Sequence, residues 1–184
     1  NGTDVSSGGV GEKLDIHANE VIKLLYYSPK AVISKINGFC FTGGLELALS
    51  ADLIYVANEA KIGDTHAVLG FRPSWGLTQR LPKYIGNMRA KELSFTAKTI
   101  SGLEAKELGL ALESFPLESL NKNVYDIALK ISNNSPNSIK AYKDLYSTAQ
   151  NKGLKEGLKY EADTAYEIPE VKERVKSFLE KLKN

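Results

Sequence analysis

The sequence predicts an α/β fold in which a mainly parallel sheet is followed by a helical C-terminal part. Between residues 31 and 57, a β-branched run, a glycine pair with a helical segment and a second β-branched run follow one another. Such a strand–helix–strand unit packs as a right-handed crossover between parallel strands. After Pro116 the apolar residues recur only at helical spacing, so no further strand is expected.

The first elements follow from composition and periodicity. Residues 4–12 are rich in Ser and Gly and indicate a loop. The segment "KLDIHANEVIKLLYY" predicts an amphipathic helix. We then expect a strand in "AVISKI", a helix in "LELALSA" and a strand in "DLIYVA". The residues expected on the apolar face of the first helix are Leu14, Val21, Leu24 and Leu25.

The middle of the chain alternates loops and short helices. The loop "GDTHAVLGFRPSWG" precedes helices in "LTQRLPKYIG" and "MRAKELSFTA". Ser101 and Glu104 have the spacing of a capping box, which predicts that a helix begins there. A last strand is expected in "LALESF". We therefore predict two parts, an α/β core over 1–115 and a helical region over 116–184.

Composition and charge exclude several classes of protein. The 184 residues carry a formal net charge of only +2, so no nucleic-acid partner is expected. The longest apolar runs are far shorter than the roughly 20 residues of a membrane-spanning helix. The single Cys40 excludes an intramolecular disulfide and fits a reducing compartment. Two His and one Cys without ligand spacing predict no metal site.

The candidate chemistry centres on Glu46, in the stretch "NGFCFTGGLELALSAD". A charged side chain is almost never fully buried without a partner, yet its neighbours are small or apolar. The glycine pair before it, at a helix N-terminus, would present backbone N–H groups to an anionic ligand. Two interpretations remain open: Glu46 only complements the helix dipole, or it acts as a base beside the bound group.

Two long stretches carry a family resemblance. The stretches "AVISKINGFCFTGGLELALSADLIYVANEAKIG" and "LGFRPSWGLTQRLPKYIGNMRAKELSFTAKTISGLEAKELGL" resemble the crotonase family, also called the enoyl-CoA hydratase/isomerase superfamily. The similarity is specific in the NG, GG-x-E-L-A, D-L-I-Y and G-L-T-Q-R-L elements. It implies a crotonase-like (ClpP/crotonase) spiral of β/α turns with a C-terminal helical trimerisation region. The family's opening β/α turns would precede Asn1, so we interpret the chain as lacking an N-terminal segment.

The resemblance also implies site residues, partners and a setting. The substrate would be an acyl-CoA or enoyl-CoA thioester, with coenzyme A entering as part of it and no cofactor bound tightly. We expect a homotrimer or a dimer of trimers, acting in fatty acid β-oxidation in a bacterial cytoplasm or an organelle matrix. The implied residues are Gly43 and Thr3 as the oxyanion-hole donors, Glu46 as the catalytic glutamate, and Gly44, Phe71, Trp75 and Lys181 at the substrate.

One departure from the family pattern concerns the second catalytic group. Hydratases of this family usually carry a further glutamate in a pattern like Q-P-E-x-x-L-G, where this chain has "DTHAVLG" with His66. An imidazole has an unperturbed pKa of about 6.5 and can donate or accept a proton near neutral pH. His66 is therefore a candidate second catalyst, although it could instead only cap the loop. Asp64 could orient His66, take part itself or only form a turn.

The resemblance favours addition of water across the 2,3 double bond of an enoyl-CoA. An isomerase that moves the double bond with Glu46 as its single base is the closest alternative. A decarboxylase of the same superfamily and a catalytically silent acyl-CoA binder remain open as well. Acyl chain length is not predicted, because the pocket walls come from loops that the sequence does not place.

Overall fold

The computed structural model describes residues 12–182, in which short strands and helices are interspersed up to residue 115 and helices alone follow. The strands are β1 (Ile33–Ile36), β2 (Phe39–Phe41), β3 (Leu53–Ala57), β4 (Lys61–Gly63), β5 (Thr99–Ser101) and β6 (Glu113–Phe115). The helices are α1 (Glu12–Tyr26), α2 (Gly43–Ala48), α3 (Leu77–Ile85), α4 (Asn87–Thr96), α5 (Gly102–Glu107), α6 (Leu117–Ser132), α7 (Pro136–Asn151), α8 (Leu154–Asp163) and α9 (Val171–Lys181). The predicted α/β class is confirmed.

The strands form two small sheets. In the first, β3 lies between β1 and β6 and is parallel to both, with Ile33 beside Leu53 and Tyr55 beside Glu113. In the second, β4 lies between β2 and β5, parallel to β2 and antiparallel to β5. The expected crossover between parallel strands is thus present in the β1–α2–β3 connection.

The sequence did not predict β2, β4 and β5. Each has three residues, too few for an alternating or β-branched pattern to stand out. The predicted apolar face of α1 is also wrong in part. Val21 and Leu24 are 46% and 74% exposed, whereas the neighbouring Ile22 is buried.

The chain divides into two compact units by its internal contacts. Of the described residues, the first unit contains 12–28 and 32–127, and the second contains 29–31 and 128–182. The core of the first unit lies between the sheets and α2–α6, with fully buried side chains on most of these elements. They include Leu45, Val56, Ile62, Leu81, Ile100 and Leu120. The predicted boundary at 115/116 stays a prediction.

The second unit is helical. The N-terminus of α7 is capped by Ser135, whose hydroxyl accepts a hydrogen bond from the amide of Ser138. Glu170 accepts further hydrogen bonds from the Ser135 hydroxyl and the Asn137 side chain. These bonds hold the pKa of Glu170 well below its usual range, at about 2. In the described residues of both units, no helix has the length and apolar character needed to cross a membrane.

Candidate active site

Glu46 lies in the first turn of α2 and is 1% exposed. The helix begins after Thr42, whose φ of 53° and ψ of −113° are unusual for a residue with a side chain. The amide of Glu46 donates to the carbonyl oxygen of Thr42 at 3.0 Å. The amide of Thr42 donates to the carbonyl oxygen of Gly63 at 3.1 Å. The sharp turn therefore directs the Glu46 side chain inward rather than to solvent.

Two backbone amides hold the Glu46 carboxylate. Its Oε1 accepts hydrogen bonds from the amide of Trp75 at 2.9 Å and from the amide of Leu77 at 3.1 Å. Both donors lie where α3 begins, a position at which helix amides have no partner within the helix. The carboxylate is thus satisfied on one oxygen and fixed in direction.

His66 faces the other oxygen of this carboxylate. It follows β4 in a turn in which its amide donates to Oδ1 of Asp64 at 3.1 Å. Its Nδ1 lies 2.6 Å from the same Oδ1, and its Nε2 lies 3.7 Å from Oε2 of Glu46. Asp64 and His66 are 1% and 7% exposed. Three ionisable side chains are therefore brought together in a buried row.

The environment changes the proton affinity of Glu46. Burial raises its pKa above the ordinary value, because the charged form loses solvation. The hydrogen bonds from the amides of Leu77 and Trp75 and the nearby His66 act in the opposite direction, while Asp64 adds to the rise. A carboxyl in such a setting is better suited to exchange protons near neutral pH than an exposed one.

Trp75 lies against the backbone of Gly43. A Cβ on Gly43 would come within 3.0 Å of Cη2 of the indole ring and closer still to Cζ3. The ring is anchored at its far side, where Nε1 donates to Oδ1 of Asp15 at 2.6 Å. The hydroxyl of Ser74 donates to the same oxygen at 3.2 Å. Only glycine fits under the ring at position 43.

A family model described as enoyl-CoA hydratase/isomerase matches residues 11–184. The chain belongs to the enoyl-CoA hydratase/isomerase family. A short-chain-enoyl-CoA hydratase of Clostridium acetobutylicum is 32% identical over 176 residues, covering 94% of this chain and 67% of that protein. The crystal structure of an enoyl-CoA hydratase of Bacillus anthracis is 35% identical, with a TM-score of 0.80, over 84% of this chain and 61% of that one.

A structure with a bound CoA thioester is also similar. It is a protein of Thermobifida fusca in complex with acetoacetyl-CoA, 26% identical with a TM-score of 0.78 over 82% of this chain and 59% of that one. The predicted crotonase-like fold is confirmed by these likenesses. The chain spans about three fifths to two thirds of the length of these family members.

The remaining residues predicted for the site lie in different places. Gly44 is exposed and lines an open groove of about 340 Å³ beside β1. Phe71 is partly buried, and its amide donates to the carbonyl oxygen of His66 at 2.9 Å. Lys181 is exposed at the end of α9 in the second unit, and its role stays a prediction. Thr3 lies outside the described residues.

Sequence reasoning missed two supporting contacts. Asp15 lies on α1 and accepts a hydrogen bond from the Trp75 indole. The two residues are sixty positions apart, so no local sequence pattern pairs them. The hydroxyl of Thr42 lies 2.5 Å from that of Thr65, and this contact joins the turn before Gly43 to the turn of His66. The positive φ of Thr42, which shapes this turn, also has no signal in the sequence.

No group of three or more His, Cys, Asp and Glu side chains in the described part of the chain has the arrangement of a metal site. In the row of Asp64, His66 and Glu46, a hydrogen bond joins Asp64 to His66, and His66 lies 3.7 Å from Glu46. Its chemistry is that of acids and bases.

Proposed function

We propose that this protein is an enoyl-CoA hydratase that adds water across the 2,3 double bond of an enoyl-CoA thioester. The observation that carries the proposal is the buried Glu46 carboxylate, held on one oxygen by two amides and facing the imidazole of His66 with the other. Hydration requires a base for water and an acid for the α-carbon, and two titratable groups face each other here. The family relatives support the same class of substrate.

In this proposal the amide of Gly43 binds the thioester oxygen. The first amides of a helix have no partner within it, and the glycine backbone allows close approach. By the family resemblance, the second donor is the amide of Thr3. Two such donors would stabilise the negative charge that develops on the oxygen as water adds, and loss of one donor typically costs about 2.7–4 kcal/mol of barrier.

Glu46 then takes a proton from the water that adds to the β-carbon, and His66, in its imidazolium form, supplies the proton at the α-carbon and is left neutral. Because Oε1 is occupied by the amides of Trp75 and Leu77, Oε2 is the oxygen that takes the proton. Coenzyme A enters as part of the substrate, and the proposal includes no tightly bound cofactor. Phe71, Trp75, Gly44 and Lys181 remain candidates for substrate contact.

The first test follows the conjugated-enone absorbance of 2-butenoyl-CoA with wild type, Glu46→Gln and His66→Ala. We expect wild type to form the 3-hydroxyacyl product and Glu46→Gln to lose about 10²–10⁴-fold in rate, the usual contribution of a positioned proton-transfer group. A smaller loss is expected in His66→Ala. Glu59→Gln and His17→Ala are matched controls at exposed positions and should keep wild-type rates.

The products separate this function from its alternatives. If wild type leaves the 2-enone untouched but converts a 3-enoyl-CoA to the 2-enoyl isomer, the single-base isomerase is correct and hydration is wrong. Release of CO₂ from a carboxylated acyl-CoA would identify a decarboxylase. Binding of acyl-CoA without any turnover would instead identify a silent binder.

A further inference from the structure

The proposed reaction uses Glu46 and His66 and leaves the third buried side chain of the row without a role. We propose that Asp64 is a positioning residue, which determines the nitrogen of His66 that carries the proton and thereby directs Nε2 toward Glu46. The idea deepens the proposed function and rests on it for its catalytic consequence. The predicted tautomer of His66 can be tested without measuring any activity.

The assignment of the proton follows from the hydrogen bonds of Asp64. As a carboxylate, Asp64 offers only acceptors. Its Oδ1 already accepts the backbone amide of His66 at 3.1 Å and lies 2.6 Å from Nδ1 of the ring. Nδ1 must therefore be the donor. In a neutral imidazole with Nδ1 protonated, the lone pair is on Nε2.

The lone pair then points at the base. Nε2 of His66 is 3.7 Å from Oε2 of Glu46, beyond the length of a hydrogen bond. The two groups face each other with no direct hydrogen bond between them, so Nε2 is the nitrogen that exchanges the catalytic proton. In the imidazolium form Nε2 holds the proton that goes to the α-carbon, and the neutral ring that is left keeps its remaining proton on Nδ1. The opposite tautomer would present an N–H to Glu46 and leave Nδ1 without a proton for Asp64.

Both ends of the row are fixed by the backbone, which gives the positioning its rigidity. Glu46 is held by the amides at the start of α3, and Asp64 is held by the amide of His66. Thr65 lies between Asp64 and His66 in the sequence, and its hydroxyl contacts the hydroxyl of Thr42 next to Gly43. Asp64 is thus the fixed group that orients the imidazole between the two ends of the row.

The composition of the chain makes the tautomer measurable. Only two histidines are present, His17 and His66. In protein labelled with ¹⁵N-histidine, two imidazoles contribute to the spectrum, and a His17→Gln variant assigns them. In the neutral ring, the nitrogen shifts distinguish a protonated from an unprotonated ring nitrogen at each position.

In wild type we expect His66 to carry its proton on Nδ1 when neutral, the less usual form of the free side chain. Asp64→Ala removes the acceptor and should move the proton to Nε2. Thr65→Val alters the same turn without touching the ring and should leave the proton on Nδ1.

A wild-type spectrum with the proton on Nε2 would overturn the proposal without any variant, so a failure of Asp64→Ala to fold does not decide it. An unchanged Nδ1 signal in folded Asp64→Ala would also overturn it. If the protein hydrates enoyl-CoA, kcat in Asp64→Ala should fall by about 10–10²-fold with KM unchanged, a part of the usual contribution of proton transfer. If hydration fails altogether while the tautomer results hold, the proposed function is wrong and the positioning is right.

Discussion

At the scale of single residues, the contact between Gly43 and Trp75 restricts position 43 to glycine. The indole ring lies directly over the glycine and is anchored through Nε1 by Asp15. A rigid anchored ring cannot move aside cheaply, whereas a flexible side chain could. Glycine is therefore required at position 43 by packing as well as by the proposed approach of a thioester oxygen.

The first residue-scale prediction uses the neighbouring glycine as a matched control. Gly43→Ala should lower the free energy of unfolding by about 1–3 kcal/mol, because the methyl group overpacks against the ring. Gly44→Ala should be tolerated, since its Cβ would meet only Sγ of Cys40 at 4.0 Å. Urea unfolding measures both, and Trp75, the single tryptophan, reports displacement of its ring by fluorescence. Equal stabilities of the two variants would contradict the contact.

The second residue-scale prediction concerns the stability cost of Glu46. Burial raises its pKa, so the folded protein holds this proton more tightly than the unfolded chain, and stability falls as pH rises from the ordinary value of 4.5 through the folded pKa. Glu46→Gln keeps an oxygen for the amides of Trp75 and Leu77 and removes the charge. We expect this variant to gain stability over wild type progressively across that pH interval.

Urea unfolding of Glu46→Gln at a series of pH values from 4 to 8 tests this, with the exposed Glu59→Gln as the control. A constant difference from wild type at every pH would show that the charge of Glu46 carries no cost. Loss of activity together with gain of stability would identify Glu46 as a residue retained for function.

At this scale the candidate residues came from the family resemblance rather than from spacing, and their roles stay predictions. The resemblance pointed to Glu46, His66 and Gly43, and the structure brings the first two within 3.7 Å. The resemblance did not identify the contacts that hold these residues in place. The anchoring of Trp75 by Asp15 joins residues sixty positions apart, and such pairs depend on tertiary packing that no local pattern encodes.

At the scale of elements, the junction between β3 and α5 shows how closely helix and strand approach. Gly102, the first residue of α5, donates its amide to the carbonyl oxygen of Asn58 at 3.2 Å. A Cβ at this position would overlap the carbonyl oxygen of Ala57 and lie 2.8 Å from its carbon. The absence of a side chain therefore sets the distance between the two elements.

We predict that Gly102→Ala is strongly destabilising, by at least about 3 kcal/mol, because backbone on a buried strand must shift. Gly157→Ala within α8 is the comparison, since a Cβ there meets nothing within 4 Å. That substitution should stabilise by about 0.4–1 kcal/mol through the unfolded chain. Circular dichroism during urea unfolding measures both. A mild effect at position 102 would show that α5 can move away from β3.

Elements with explicit local signals were the ones that sequence could predict. The capping box of Ser101 and Glu104, which predicted the start of a helix, is present. The strands β2, β4 and β5 were missed because they are defined by their partners: β4 forms by pairing with β2 and β5. The partly wrong face of α1 has a similar cause, since tertiary packing decides which side is buried.

At the scale of the whole molecule, the helical unit presents large apolar side chains on its surface. In the single chain, Leu154, Phe178 and Leu182 are 80%, 61% and 67% exposed. Exposed apolar groups of this size are typical of surfaces that associate. They are candidates for the interface of the expected homotrimer or dimer of trimers, which stays a prediction.

We therefore expect a mass of three or six times the 20.2 kDa of one chain in size-exclusion chromatography with light scattering. Phe178→Glu should lower the mass, because it places a charge on the apolar surface, whereas Lys176→Glu on the same helix should not. A monomer at micromolar concentration would contradict the proposal.

The hydrogen bonds to Glu46 have a consequence for protein engineering. Both donors are backbone amides of residues 75 and 77, so exchanging those side chains leaves the N–H groups in place. Only proline lacks the donor. Leu77 is buried and constrained by volume, but Trp75 is only partly buried. A saturation library at position 75 could therefore reshape the space over Gly43 without releasing the carboxylate, which makes this position a natural entry point for directed evolution of acyl preference.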